Sequence, residues 1–575
     1  MNCIRSALVG TATALALSAC ATTPGPGSAA APSPRSDPAS DAAAAVDSLM
    51  AAYDRENSPG AAVLVFRGDE QLFARGYGQA NLEYDVPITP RTVFHVASVS
   101  KQFTAFAIAT LAAQGRLSLD DDVRRYLPEL PDFGHRITLR HLLHHTSGLR
   151  DQWSLWVLAG GLPDDVIRQD DLLRLITRQR ELNFAPGSEW AYSNTGYTLL
   201  AEVVERVTAQ DFGRWMKTHV FEPLGMTDTQ VYDDHERIVP GRAYSYRPAG
   251  DGFEKAVLSY ANAGATSVFT TTEDLARWLR NLGSARVGGE DVARMMRTRG
   301  LLSGGDTTGY GLGVMVGRQR GLDVLFHGGA DAGFRSAVNY YPALDAGVVV
   351  LANLASIDPG ETADAIAEIF FAAQMEPRPG LTAPTSAAEE PAVAVDAALL
   401  DAYAGRWQAE GGGAVTIERE GGRLVMVQGP RREPMQSVSD STFLLERLEI
   451  RLTFHREGNG EVNRATLVQR GRTTTVRRVI PFAVSPADLQ AYTGRYYSPE
   501  LETIYAVVVK DGRLVARHRR RGDVPLTPQR ADVFQGSESW FAGVEFERAA
   551  DGTVRGMRVS NAGGRLRNLW FEKLD

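Results

Sequence analysis

The sequence predicts an α+β domain with an antiparallel sheet and a helical insert, followed by two small antiparallel β-barrels. Three observations carry this. Within the first 375 residues strand-like runs lie near both ends and helical patterns fill the middle, as in a sheet built from the two chain ends. A Pro- and Ala-rich stretch at 376–395, "EPRPGLTAPTSAAEEPAVAV", then separates this block from a tail of short strands and turns. The tail repeats itself. "AYAGR" from Ala402 recurs as "AYTGR" from Ala491, Val425 matches Val515, Phe443 matches Phe534 and Phe454 matches Phe546. The offset grows only from 89 to 92 residues, so two copies are present, 396–481 and 485–575. Each is the size of one small barrel.

Taken in order, residues 1–20 read as a secretion signal: Arg5, a short apolar run, then Leu17-Ser18-Ala19-Cys20. That ending resembles a bacterial lipobox, which implies lipidation of Cys20 and a membrane anchor on the periplasmic side. Ala21 resembles the outer-membrane sorting pattern. Residues 21–42 are a Pro-, Ala- and Ser-rich tether. The first domain spans 43–375. It opens with a helix from Ala43 to about Tyr53 and a hairpin turning at Gly68-Asp69. Helical patterns run from Phe94 to about Leu282; strands return at "LDVLFHGG", "SAVNYYP" and "GVVVLANL"; the helix "ETADAIAEIFFAAQM" closes the block.

Composition excludes several functions. A net charge of −8 gives no electrostatic case for nucleic-acid binding. The two cysteines, Cys3 and Cys20, both lie in the signal segment, so the folded part has no thiol nucleophile and no cysteine metal site. His141, His144 and His145 lack a carboxylate at ligand spacing and read as structural, so no metal or other cofactor is expected. "ARHRRRGD" from Ala516 reads as a solvated strand and turn, or else as a group reaching a carboxylate in a cleft.

Three short stretches carry chemistry. The chain holds 5 lysines against 56 arginines, yet Lys101 sits in the first turn of the apolar helix after Phe94, three residues beyond Ser98. Positions i and i+3 share a helix face. A serine needs a neighbour to take its proton; a buried lysine can do so and an arginine cannot. Tyr192 and Asn194, two apart before a helix expected near Thr195, can relay a proton and hold an amide. His327-Gly328-Gly329 ends a strand, where glycines admit close approach and a free N–H can serve an oxyanion.

Together and in this order, Ser98-Val99-Ser100-Lys101, Tyr192-Ser193-Asn194 and His327-Gly328-Gly329 resemble the motifs of the serine β-lactamase-like and penicillin-binding hydrolases. The likeness is to the branch with class C β-lactamases, D-Ala-D-Ala carboxypeptidases, D-aminopeptidases and esterases, over residues 45 to 372. It implies a β-lactamase/transpeptidase-like fold and a serine hydrolase acting through an acyl-enzyme on small-molecule or peptide substrates. Catalytic roles fall on Ser98, Lys101 and Tyr192. Substrate binding falls on Asn194, His327, Gly329 and Ala330, the last pairing its N–H with that of Ser98 as an oxyanion hole. Where β-lactamases of this branch carry Lys-Thr-Gly, this chain has His-Gly-Gly. That favours small amides, D-amino-acid peptides or short esters over β-lactams. A carboxypeptidase or β-lactamase, and a cell-wall binding or sensing protein with little turnover, remain alternatives.

Overall fold

The structure, a computed structural model, describes residues 38–377 and 393–574, apart from 410–413, 429–430, 446–447, 449, 459, 470–471, 480–481 and 483. Cys20, the signal segment and most of the 376–395 linker fall outside the described residues.

The first helix, α1 (Pro38–Met50), begins at Pro38 rather than at Ala43. The Ala-rich run extends helix propensity outward, and Asp41 favours the positive end of the helix dipole. Next come β1 (Ala61–Arg67) and β2 (Glu70–Tyr77), joined at Gly68-Asp69. Far along the chain follow β3 (Met315–Gln319), β4 (Leu322–Asp331), β5 (Phe334–Tyr341) and β6 (Ala346–Ala352). They form one antiparallel sheet ordered β3-β4-β5-β6-β1-β2, so β1 pairs with β6 across almost three hundred residues of sequence. In β1 every residue from Ala61 to Phe66 is buried, because both faces of the sheet are covered. Ala61, Val63 and Val65 meet α1 and the closing helix α7 (Pro359–Phe371). Ala62, Leu64 and Phe66 face the helical insert.

That insert carries α2 (Lys101–Ala113), α3 (Gln152–Leu158), α4 (Gln169–Thr177), α5 (Asn194–Thr208) and α6 (Thr272–Ser284). Helix α2 is apolar on nearly all sides and buried from Lys101 to Ala109, as a central helix must be.

The repeat folds as two closed eight-stranded antiparallel barrels, from Gly405–Ala409 to Arg472–Arg478 and from Gly494–Ser498 to Leu569–Lys573. The repeated motif has a structural cause. Tyr403 packs on Phe454 and Tyr492 on Phe546, with ring centroids 4.3 and 4.7 Å apart, plugging each barrel. Gly405 and Gly494 follow at φ 144°, a conformation that needs glycine.

The second barrel docks on the first domain. Leu155 and Leu158 of α3 and Leu175 of α4 belong to its core. "ARHRRRGD" is a largely exposed strand and turn that also reaches this contact: Arg520 pairs with Asp165, Arg521 donates to the Gly161 carbonyl, and His518 packs against Gly160.

Candidate active site

Ser98 lies in a 3₁₀ turn, Ala97–Ser100, that runs directly into α2. Ala97 just before it has φ 47°, a left-handed backbone that costs a non-glycine residue about 1–2 kcal/mol. The sharp bend leaves Ser98 facing a cavity while Val99 and Ser100 turn into the core. Ser100 anchors the turn by accepting from the Val268 N–H.

Lys101 is fully buried. Its Nζ lies 2.9 Å from Ser98 Oγ, 2.8 Å from Asn194 Oδ1 and 2.7 Å from the Ala265 carbonyl. These acceptors fix the amine beneath the serine. Burial drives its pKa down to about 7; the negative charges of Asp331 and Asp151 resist, and Arg565 adds to the lowering. A large fraction is therefore neutral near pH 7 and able to accept the serine proton.

Tyr192 leans over the same amine, its ring centroid 5.0 Å from Lys101 Nζ. His145 packs behind it at 4.2 Å and is itself held by the Ser193 N–H. Burial raises the phenol above its ordinary value, while Ser98 and Arg565 pull it down. Among the described residues its buried hydroxyl has no hydrogen-bond partner, and burial keeps it protonated and available to a bound substrate.

Asn194 is the first residue of α5, one position earlier than the sequence pattern suggested. Its N–H and its side-chain amide both donate to Asp151 Oδ1, at 2.8 and 2.7 Å, while its Oδ1 accepts from Lys101. One amide hydrogen remains for a substrate. Asp151 thus orients the Asn194 amide, a contact not visible in the sequence because Asp151 lies 43 residues upstream.

Within β4, which continues past the glycines to Asp331, His327 is buried, with Nε2 2.9 Å from the Tyr310 hydroxyl and Nδ1 2.6 Å from the Gly328 carbonyl. The pattern suits a neutral ring that donates at Nδ1 and accepts at Nε2. Burial and the Lys101 charge push its pKa down to about 4, so it offers no fixed cation. Both nitrogens are engaged within the protein, so His327 shapes the floor instead of offering a free hydrogen bond.

Gly329 is required by contact. A Cβ there would lie 2.3 Å from the Val96 carbonyl and 2.4 Å from Ser336 Oγ. The missing side chain lets β4 lie against the Ser98 turn, with Ser336 bonded to that carbonyl at 2.8 Å. Asp331 and Phe334 flank a two-residue turn, making Ala330–Arg335 a pair that is not hydrogen-bonded. The Ala330 N–H therefore points away from β5, and on that side β3 has already ended, with Met315 opposite Phe326. Gly329→Ala is expected to lower kcat/KM by about 10²-fold, the worth of an oxyanion donor, with retained circular dichroism; wild-type activity would refute the contact argument.

Beside Ala330, burial works to raise the Asp331 carboxyl, but hydrogen bonds from His95 and Thr266 outweigh it and hold the group below its ordinary value. Ser98, Tyr192, Asn194, His327, Gly329 and Ala330 all line one cavity of about 1200 Å³, with Lys101 beneath it. Part of its wall comes from the second barrel, through the loop at Gly563, Arg565 and Arg567. Sequence reading missed this contribution. The signal was present in the repeat: the last two strands of the first barrel are separated by two residues, those of the second by the eight residues 561–568. Among the described residues no cluster of three or more His, Cys, Asp or Glu side chains could hold a metal, and no helix is long and apolar enough to cross a membrane.

Residues 42–372 match the beta-lactamase family model, and residues 389–477, spanning most of the first barrel, match a domain of unknown function, DUF3471. A D-aminopeptidase of Gluconobacter oxydans is 31% identical over 313 residues, 54% of this chain; the chain spans 58% of that relative's length. Penicillin-binding protein 4* of Bacillus subtilis is 28% identical over 416 residues, 68% of this chain and 89% of that protein. Two solved structures share the fold. An octameric penicillin-binding protein homologue from Pyrococcus abyssi has TM-score 0.53 at 22% identity, covering 76% of this chain and 99% of its own. A D-amino acid amidase from Ochrobactrum anthropi has TM-score 0.50 at 23%, covering 58% and 99%. The family match covers more than half of the chain and takes in every predicted site residue from Ser98 to Ala330: this chain belongs to the beta-lactamase family.

Proposed function

We propose that this chain is a serine hydrolase acting through an acyl-enzyme on small amides or esters, foremost D-amino-acid-containing peptides. One observation carries the reading: a fully buried lysine amine 2.9 Å from a cavity-facing serine hydroxyl, with its pKa brought down to about 7. Neutral Lys101 takes the Ser98 proton as Oγ attacks the substrate carbonyl. The N–H groups of Ser98 and Ala330 receive the oxyanion, and Asn194 offers its free amide hydrogen to the substrate. The proton passes by way of Tyr192 to the departing nitrogen or oxygen, and water then releases the acyl group from Ser98. The D-aminopeptidase and D-amino acid amidase likenesses support the substrate class.

The test is a panel of D-aminoacyl amides, short esters and a chromogenic cephalosporin, with intact-mass detection of an acyl adduct. Turnover of amides or esters, with an adduct that Ser98→Ala abolishes, is the expected result. No adduct with any panel member refutes the reading. Efficient cephalosporin hydrolysis would replace it with a β-lactamase, and an adduct without turnover with a sensor.

A further inference from the structure

The cavity holds a feature the acyl-transfer reading does not use. Three guanidinium groups line it: Arg335, Arg565 and Arg567. Two are occupied. Arg335 donates to the Ala332 and Phe334 carbonyls of its own hairpin, and Arg567 forks onto the Glu189 carboxylate at 3.3 and 3.0 Å. Arg565 differs. Among the described residues its guanidinium has no hydrogen-bond or carboxylate partner; its Cζ stands 5.2 Å from the centroid of the Tyr192 ring.

Its backbone, by contrast, is tied down. The Arg565 carbonyl accepts from the Asp151 N–H at 2.9 Å and from the Asn183 amide at 3.0 Å. Asn183 Oδ1 in turn accepts from the Arg567 N–H at 2.8 Å. Asp151 is the residue that orients Asn194, so the loop is registered to the catalytic groups within two hydrogen bonds. A fixed loop holding out an unpaired cation is a pre-organised anion site. Three carboxylates line the cavity with it: Asp331 is engaged by His95 and Thr266, Asp358 caps α7, and Glu361 lies in the first turn of α7, at the positive end of that helix; none of them pairs with Arg565 among the described residues. The position also sets direction. Tyr192 is the group placed to hand a proton to the departing atom, so a cation over its ring stands on the leaving side of the substrate.

We infer that Arg565, delivered by the second barrel, binds a carboxylate on the leaving side of the substrate, so that the preferred substrates are short peptides whose released residue ends in a free carboxylate. This rests on the acyl-transfer reading and adds to it. The cation missing at His327 is supplied from another domain, and arginine's planar fork suits a carboxylate.

The experiment compares D-alanyl-glycine with D-alanyl-glycinamide, which differ only in that carboxylate. In Arg565→Ala the ratio of their kcat/KM values, acid over amide, is expected to fall by roughly 10- to 100-fold, with partial recovery in Arg565→Lys. An unchanged ratio overturns the proposal. So does an equal loss for both probes with the pH profile displaced upward, which would mean that Arg565 acts only through the Lys101 pKa. Binding of the two probes to Ser98→Ala protein, measured by calorimetry, separates the two readings. Acid-selective binding that disappears with Arg565, without wild-type turnover, upholds this site and refutes the hydrolase. Turnover without discrimination does the reverse. Undetectable or equal binding of both probes refutes the anion site.

Discussion

Replacing Lys101 by arginine is expected to reduce acylation by about 10³-fold, although charge and length are nearly kept. Arginine stays protonated and cannot take the Ser98 proton. Its planar head also cannot satisfy three acceptors converging on one nitrogen, the Ser98 hydroxyl, Asn194 Oδ1 and the Ala265 carbonyl. The check is the rate of adduct formation by mass spectrometry, where near-wild-type acylation would exclude Lys101 as the base. The pH profile adds a second reading. The active form is the neutral amine, so kcat/KM should rise tenfold per pH unit below about 7 and level off above it. Stability follows the same group. The folded pKa, about 7, lies below the ordinary lysine value of 10.5, so the unfolded chain binds more protons between these values. The Lys101 contribution to stability therefore rises with pH across that window, and its burial penalty is complete below about 7. Comparing the pH dependence of unfolding in wild type and Lys101→Met isolates this term.

Glu500→Ala is expected to destabilise the protein by about 3–5 kcal/mol, far from the catalytic serine in sequence. Arg150 and Glu500 are both buried and meet at 2.8 Å across the contact between catalytic block and second barrel; Glu500 also accepts from the Arg180 N–H at 2.9 Å. Removing the carboxylate leaves a buried guanidinium with half-exposed Glu181 as its one remaining carboxylate partner among the described residues, beside the neutral acceptors of Gln179, Arg567 and Asn568 and the repelling charge of Arg558. The control is Glu502→Ala. Its pairs with Arg174 and Arg178 lie near the surface, and a loss of about 1 kcal/mol or less is expected. Equal effects in urea denaturation would show that the buried pair is not what fastens the barrel. The same contact alters the outcome for a chain ended after Met375. The sequence suggests that such a piece folds with altered substrate range. Leu155, Leu158 and Leu175, however, are core residues of the second barrel, and Arg150 would lose its partner. Insolubility, or loss of activity through a displaced Asn194, is the expected result.

Some of this was legible in the residues alone, for a physical reason. Local chemistry is written locally: Ser98 and Lys101 share a helix face because three residues make one turn, and that face is apolar enough to bury the amine. The barrels were readable because their plugging tyrosines and φ-positive glycines recur at one spacing. Five strands of the six-stranded sheet were legible as strands, β3 (Met315–Gln319) was not, and the order was not legible either, since pairing β1 with β6 depends on which faces both helical layers cover. What only the tertiary structure decided were relations between distant segments. His327 could be read as a possible hydrogen-bond partner, but only packing showed that Tyr310 and Gly328 already hold its two nitrogens. Asp151 carries no motif; its role arises because α5 begins beside it. Arg565 lies more than 370 residues from Tyr192, and nothing in either segment's periodicity encodes that a lengthened barrel loop ends over that ring. Periodicity reports which face of an element is buried, whereas the site is set by what each face is buried against.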